Sequence, residues 1–216
     1  MGTRVGIIGS GIVGQTLANG FVTHGYEVMI ATNTPAKRDE LRTKTHGKAA
    51  IGSFDDAAKF GDVVVLATKG DAAAEAVNAA GIANLAGKTV IDTTNPIAAA
   101  PPTHGVLQYF TSQNESLMER LQALAPDAHF VKAFNSVGNA LMVNPHFAGT
   151  RPTMFICGND AGAKREVTAI LEQFGYETAD MGAVESARPI ESLCILWCIP
   201  GFLEKSWGHA FKLLRP

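Results

Sequence analysis

The chain has 216 residues, of which 46% are apolar, enough to bury roughly 70% of its extended surface without disulfides or a structural metal. Its 18 basic and 20 acidic residues leave a formal charge of −2, which excludes the strong basic field expected of a nucleic-acid or anionic-membrane partner. Cys157, Cys194 and Cys198 are odd in number and form no C-x-x-C pair, so a reducing, cytoplasmic compartment is expected.

The first apolar burst, Val5 to Ile8, runs directly into Gly9, Gly11 and Gly14 in the stretch VGIIGSGIVGQTLANGF. This order predicts a strand, a tight turn and a helix over Val13 to His24, and its glycines break the pattern of a secretion signal, so no leader is expected. Further Val- and Ile-rich bursts at Val28 to Ala31, Val63 to Ala67, Val90 to Ile91, Phe130 to Phe134 and Met154 to Cys157 predict strands. Between them, Ala36 to Thr45, Asp71 to Ala80, Glu115 to Leu124 and Ala163 to Phe174 have helical composition. Short continuous apolar strands alternating with helices predict a parallel sheet covered on both faces, a doubly wound α/β (Rossmann) fold.

Pro96 to Thr111, with three prolines and no periodicity, reads as a loop able to line a site. Residues 1–148 are expected to form a dinucleotide-binding domain. Residues 149–216, with a strand, helix and strand over Thr153 to Asp180 and a helical segment from Ala187 to Leu214, are expected to form a small C-terminal α/β extension of the sheet or a small domain. The apolar stretch Leu193 to Phe202 is too short to span a bilayer. The six histidines show no compact ligand spacing, so no metal site is expected.

In the glycine turn, Gly9 supplies the turn, Gly11 admits a pyrophosphate to the backbone and Gly14 lets helix and sheet pack closely. The phosphates are then expected at the helix N-terminus, where free N–H groups favour negative charge. Which dinucleotide is bound depends on the end of the second strand, where an NAD site places a carboxylate. Here the chain has Ala31, Thr32, Asn33 and Thr34, with Lys37 and Arg38 following, either as cations for a 2′-phosphate or as a solvated helix face. NADP is therefore expected over NAD. At the ends of later strands, Ala67 and Thr68 are candidate backbone contacts to the nucleotide, and Lys69 is either a site residue or a surface charge. Asp92 to Asn95 exit toward the same crevice, where Asn95 either holds the nicotinamide side or shapes an Asx turn.

The blocks VGIIGSGIVGQTLA, VIDTTNP, VKAFNSVG, MFICGNDAGAK and DMGAVESARPIESL, in that order, resemble the family of NADP-dependent oxidoreductases that use the deazaflavin coenzyme F420. Relatives of that family include the cytosolic domain of membrane ferric reductases. The resemblance spans nearly the whole chain and implies an NADP-binding Rossmann domain, a small C-terminal part closing one side of a cleft, F420 as co-substrate and a homodimer. It implies that Gly9, Ser10, Gly11, Ile12 and Val13 meet the pyrophosphate and that Thr32 lies beside the 2′-phosphate. The family pattern commonly follows that hydroxyl with arginine. Asn33 and Thr34 stand here instead, which puts more weight on Lys37 and Arg38.

Hydride transfer between two planar cofactors needs no protein nucleophile and no metal, only orientation and exclusion of water. Candidates for the acceptor wall are Asn95, His104, Asn135 and Ser136, with Lys132 either contacting an anionic acceptor or carbonyl or solvating a sheet edge. In the last helix, Cys194 and Cys198 share a face and read as core, Glu191 and Glu204 read as exposed, and Arg188 either pairs with a carboxylate or binds a phosphate tail. Rival readings are an NADPH-dependent flavin or small carbonyl or imine reductase, and a non-catalytic NADP sensor.

Overall fold

The computed structural model describes residues 3–216. Six parallel strands form one sheet: β1 (Arg4–Ile8), β2 (Glu27–Ala31), β3 (Ala50–Gly52), β4 (Val63–Leu66), β5 (Thr89–Asp92) and β6 (His129–Lys132), in spatial order β3-β2-β1-β4-β5-β6. The chain thus winds outward from β1 to one edge, returns beside β1 at β4 and winds to the other edge. The order reverses between β1 and β4, the place where such sheets bind ligands.

The central strand β4, Val-Val-Val-Leu, is apolar throughout because both of its faces are covered. Val63 and Val65 enter one core with α1 (Ile12–Thr23) and α7 (Ala161–Gln173), while Val64 and Leu66 enter the other with α4 (Ala73–Ala80) and α6 (Leu117–Leu124). The twofold alternation of strand side chains sorts the valines between the two cores. The doubly wound α/β fold expected from the alternating bursts is therefore present.

Several elements were not evident from the apolar bursts. Strand β3 and helix α3 (Phe54–Phe60) arise in the mixed stretch AIGSFDDAAKF, where Ser53 Oγ accepts from the Asp56 amide and the Asp56 carboxylate accepts from the Ser53 amide. This reciprocal capping starts a helix that composition alone does not announce. Ser116 and Glu119 cap α6 in the same way, and the Asp160 carboxylate accepts from the Ala163 amide at the start of α7. Short helices α2 (Arg38–Lys44) and α5 (Ile82–Leu85) complete this part.

Beyond β6, a parallel pair, β7 (Thr153–Ile156) and β8 (Glu177–Asp180), flanks α7. An antiparallel bridge between Lys132 and Cys157 links this pair to the end of β6. The last helix, α8 (Ala187–Glu204), stops at Lys205 in a left-handed conformation, ten residues short of the expected helical segment. The tail instead folds back: the Trp207 ring lies on Gly201, the Thr153 amide donates to the Phe211 carbonyl and the Leu213 amide donates to Thr153 Oγ1. The tail therefore covers an edge of β7 that a longer helix would leave bare. No helix among the described residues is long and apolar enough to cross a membrane.

Candidate active site

Strand register aligns Ala31, Ile8, Leu66, Asp92 and Lys132 side by side at the carboxyl ends of five strands. The loops leaving four of these ends enclose a cavity of about 740 Å³, within the usual range of a small-molecule site. Its walls are Gly9 to Val13 after β1, Thr32 to Thr34 after β2, Ala67 to Asp71 after β4, and Thr93 to Asn95 with Ile97 to Ala99 after β5. Phe54, at the start of α3, closes the wall beside Thr32 to Thr34.

The three glycines differ in what surrounds them. Gly9 has φ +129°, and a Cβ there would stand 2.3 Å from the Ala67 carbonyl oxygen. A Cβ on Gly14 would stand 2.1 Å from the Gly9 carbonyl oxygen, so α1 touches the turn directly. Gly11 faces open space, and a Cβ there would meet nothing within 4 Å. One position turns, one packs and one leaves backbone bare to the cavity at the N-terminus of α1, an arrangement suited to a pyrophosphate.

Thr32 is buried beside this turn. Its hydroxyl oxygen accepts from Ser10 Oγ at 3.1 Å and from the Thr34 amide at 3.1 Å, which leaves its own hydrogen for the cavity. Thr68 also lines the cavity, and its hydroxyl oxygen is buried without a hydrogen-bond partner. Asn95 is held from behind: its Nδ2 donates to the Asn135 carbonyl at 2.8 Å, and Asn135 Nδ2 donates back to Asn95 Oδ1 at 3.1 Å and to the Ile190 carbonyl at 2.8 Å.

Gly9, Ser10, Gly11, Ile12, Val13, Thr32, Asn33, Thr34, Ala67, Thr68 and Asn95 are therefore brought together in one wall, and Lys69 joins them. Lys37 and Arg38 stand outside it at exposed positions, because the turn at Pro35 to Lys37 carries them past the cavity rim. Asn135 and Ser136 are buried one layer behind the wall, not on it. His104 sits on an exposed turn away from it.

Lys132 does not solvate an edge, and it does not line the cavity. It is fully buried, donates to the Thr94 carbonyl at 2.8 Å and forms ion pairs with Asp92 at 2.7 Å and Glu191 at 2.8 Å. Burial, the strongest single influence on it, acts to discharge the ammonium. The two carboxylates together outweigh burial and hold its pKa above the ordinary lysine value.

Glu191, expected on the surface, is likewise buried. Its carboxylate accepts from the amides of Leu117 and Met118 at 2.9 and 3.0 Å, at the positive end of α6. A signal for this was present: Glu191 lies on the same helical face as Ala187, Cys194 and Cys198, all buried. Arg188 pairs with Glu119, with Nη2 at 2.5 Å from Oε1, so its carboxylate alternative is the one the fold adopts. Cys194 and Cys198 are buried free thiols beside Trp197 and Tyr109.

A doubly wound sheet with a glycine turn opening a helix at the switch point defines a dinucleotide-binding protein of the Rossmann class. The comparisons narrow this class. Residues 4–96 match the family described as NADP oxidoreductase, coenzyme F420-dependent. A crystal structure from Arthrobacter sp. FB24, of a protein proposed to be an F420-dependent NADP reductase, superposes with a TM-score of 0.92 and 32% identity over 99% of this chain and 100% of that one.

The chain belongs to this family of NADP oxidoreductases. Metalloreductase STEAP3 of Rattus norvegicus is 28% identical over 93% of this chain and 39% of its own length. Metalloreductase STEAP2 of Homo sapiens is 28% identical over 88% of this chain and 35% of its own length. The chain thus spans less than two fifths of these curated relatives.

Proposed function

We propose that the protein passes hydride between NADP(H) and a second planar redox cofactor, with coenzyme F420 as the first candidate. The observation that carries this reading is the extent of the cavity. It runs from Thr32 past the glycine turn to Asn95 and continues along the apolar side chains Ile97, Ala98 and Ala99, a strip suited to a flat ring. When bound, the nicotinamide supplies a hydride with both electrons from C4, becoming oxidised, and the balancing proton on the acceptor comes from solvent.

The chain's residues would bind and orient. Gly9 to Val13 would hold the pyrophosphate, and Thr32, Asn33 and Thr34 would donate to the 2′-phosphate, with Lys37 and Arg38 reaching over the rim as long-range countercharge. Ala67 and Thr68 would contact the middle of the dinucleotide, and Asn95, backed by Asn135, would border the nicotinamide. Ser136 supports the same corner from behind. Residues 1–148 would act as the dinucleotide half and residues 149–216 as the buttress behind the acceptor side. Exposed apolar residues Leu196, Phe202 and Leu203 on α8 support a homodimer, which light scattering of the purified protein tests.

A second reading, NADPH-dependent flavin reduction, is favoured by the 28% identity to the metalloreductases over nearly all of this chain. One experiment separates the two: anaerobic NADPH absorbance with oxidised F420, FAD, FMN or no acceptor. NADPH oxidation with F420 alone is the expected result. Oxidation with FAD or FMN alone establishes the second reading, and NADPH binding without oxidation in any arm overturns both.

A further inference from the structure

The loops that border the nicotinamide half of the cavity are held by charges that never reach it. A dinucleotide whose pyrophosphate lies on the glycine turn and whose adenosine end lies beside Thr32 extends its other half toward the ends of β4 and β5. Thr93, Thr94 and Asn95 line that part of the cavity. The Thr94 amide and hydroxyl donate to Asp92 Oδ1 at 2.9 and 2.6 Å, and its carbonyl accepts from Lys132 at 2.8 Å. Thr94 is thus clamped at three points, and Asn95 beside it is clamped by Asn135.

Lys132 is in turn held by Glu191, and Asn135 donates to the carbonyl of Ile190. Both clamps therefore end on adjacent residues of α8, and the Tyr109 hydroxyl donates to the Glu191 carbonyl at 2.6 Å from the loop that follows the wall. A core that needed only stability would be served as well by apolar side chains in place of a buried ion triad. The triad instead couples α8, the N-terminus of α6 and the 93–95 wall into one unit.

From this we infer that Lys132 and Glu191 are positioning residues: the Asp92–Lys132–Glu191 network sets the wall against which the nicotinamide half rests and so governs its alignment for hydride transfer. The inference deepens the proposed hydride-transfer function and rests on it for the transfer step alone. Neither residue lines the cavity.

The test uses E191Q in the full chain, with NADPH and 2′,5′-ADP as probes. Gln keeps the size of Glu191 but turns an NH2 toward the Leu117 or Met118 amide, a donor against a donor, and removes one charge facing Lys132. The fragment 2′,5′-ADP reports the adenosine end without the nicotinamide. The expected result is an affinity for 2′,5′-ADP within about twofold of wild type, an NADPH affinity down about fivefold and a single-turnover hydride transfer rate down about tenfold or more.

Equal losses for both probes would mean a merely structural role and overturn the inference, as would no change in NADPH affinity and transfer. If E191Q fails to fold by circular dichroism, the charge-free D92N/K132M/E191Q variant takes its place, with the same two probes and the same deciding outcomes. If wild type reduces no acceptor, the proposed function fails, and the two affinities alone decide the positioning role.

Discussion

Where the cavity passes the glycine turn its wall is backbone. Where it passes the end of β5 the wall is backed by side-chain charge. The first wall is written within residues 9–14, and its geometry follows from missing Cβ atoms. The second draws on Asp92, Lys132, Asn135 and Glu191, which come from three separate stretches of the chain and meet only because two strands end where the last helix begins. A phosphate asks for N–H groups that any backbone turn can supply, whereas a neutral ring must be aligned by surfaces, and surfaces need bracing.

The largest effect that would sharpen this contrast is on stability. K132M leaves Asp92 and Glu191 buried without their cation, and the variant is expected to lose about 3–5 kcal/mol in urea denaturation. Neutralising all three groups together is expected to restore much of that loss, because the uncompensated charges disappear. If K132M is as stable as wild type, the charged wall is not a stressed network and the contrast between the two walls breaks down.

On the backbone wall, G14A pushes a methyl against the Gly9 carbonyl, where its Cβ would stand at 2.1 Å. The turn must shift, and NADPH affinity is expected to fall about tenfold or more, at a stability cost of about 1–3 kcal/mol. Titration of the folded variant by nucleotide fluorescence checks this. Unchanged affinity would show that the turn yields more easily than its contacts imply.

A smaller, selective effect is expected from T32E. A carboxylate beside a 2′-phosphate repels it, so NADPH binding is expected to weaken about tenfold more than NADH binding. Equal losses would move the 2′-phosphate away from Thr32. The exposed Lys37 and Arg38 would then have no established part in the site.

The smallest effect lies on the outer surface of the charged side, where Arg188 and Glu119 are paired. The hydrogen bond from Arg188, followed by those from the Ser116 hydroxyl and amide, holds the Glu119 carboxyl below its ordinary pKa, against the opposing effect of burial. A carboxyl lowered in the folded state stabilises the fold fully above its unfolded pKa and loses that contribution as pH falls through the folded value. Wild type is therefore expected to lose more stability than R188Q on acidification from about pH 5 downward, as followed by urea titration. Parallel acid limbs would show that this pair, unlike the buried triad, contributes nothing to the fold.

The dinucleotide side was legible because its determinants are local. Val5 to Ile8, the glycines and the helix that follows announce their roles within one stretch of chain, and Thr32 at the end of the next strand needs only the strand's position. Helix α3 was missed because its signal is polar: it starts from the Ser53–Asp56 cap and not from an apolar burst. The tail was misread as helix because its apolar residues suit either a helix face or an irregular segment laid on Trp197 and Gly201.

Local order along the chain thus determined the doubly wound sheet, the glycine turn and the absence of a carboxylate after β2, since each depends on residues a few positions apart. Only the tertiary structure decided what Lys132 and Glu191 do. A lone charge in an apolar segment reads as exposed until its partners are known, and here those partners are 40 and 59 residues from Lys132 along the chain but within 3 Å of it in space.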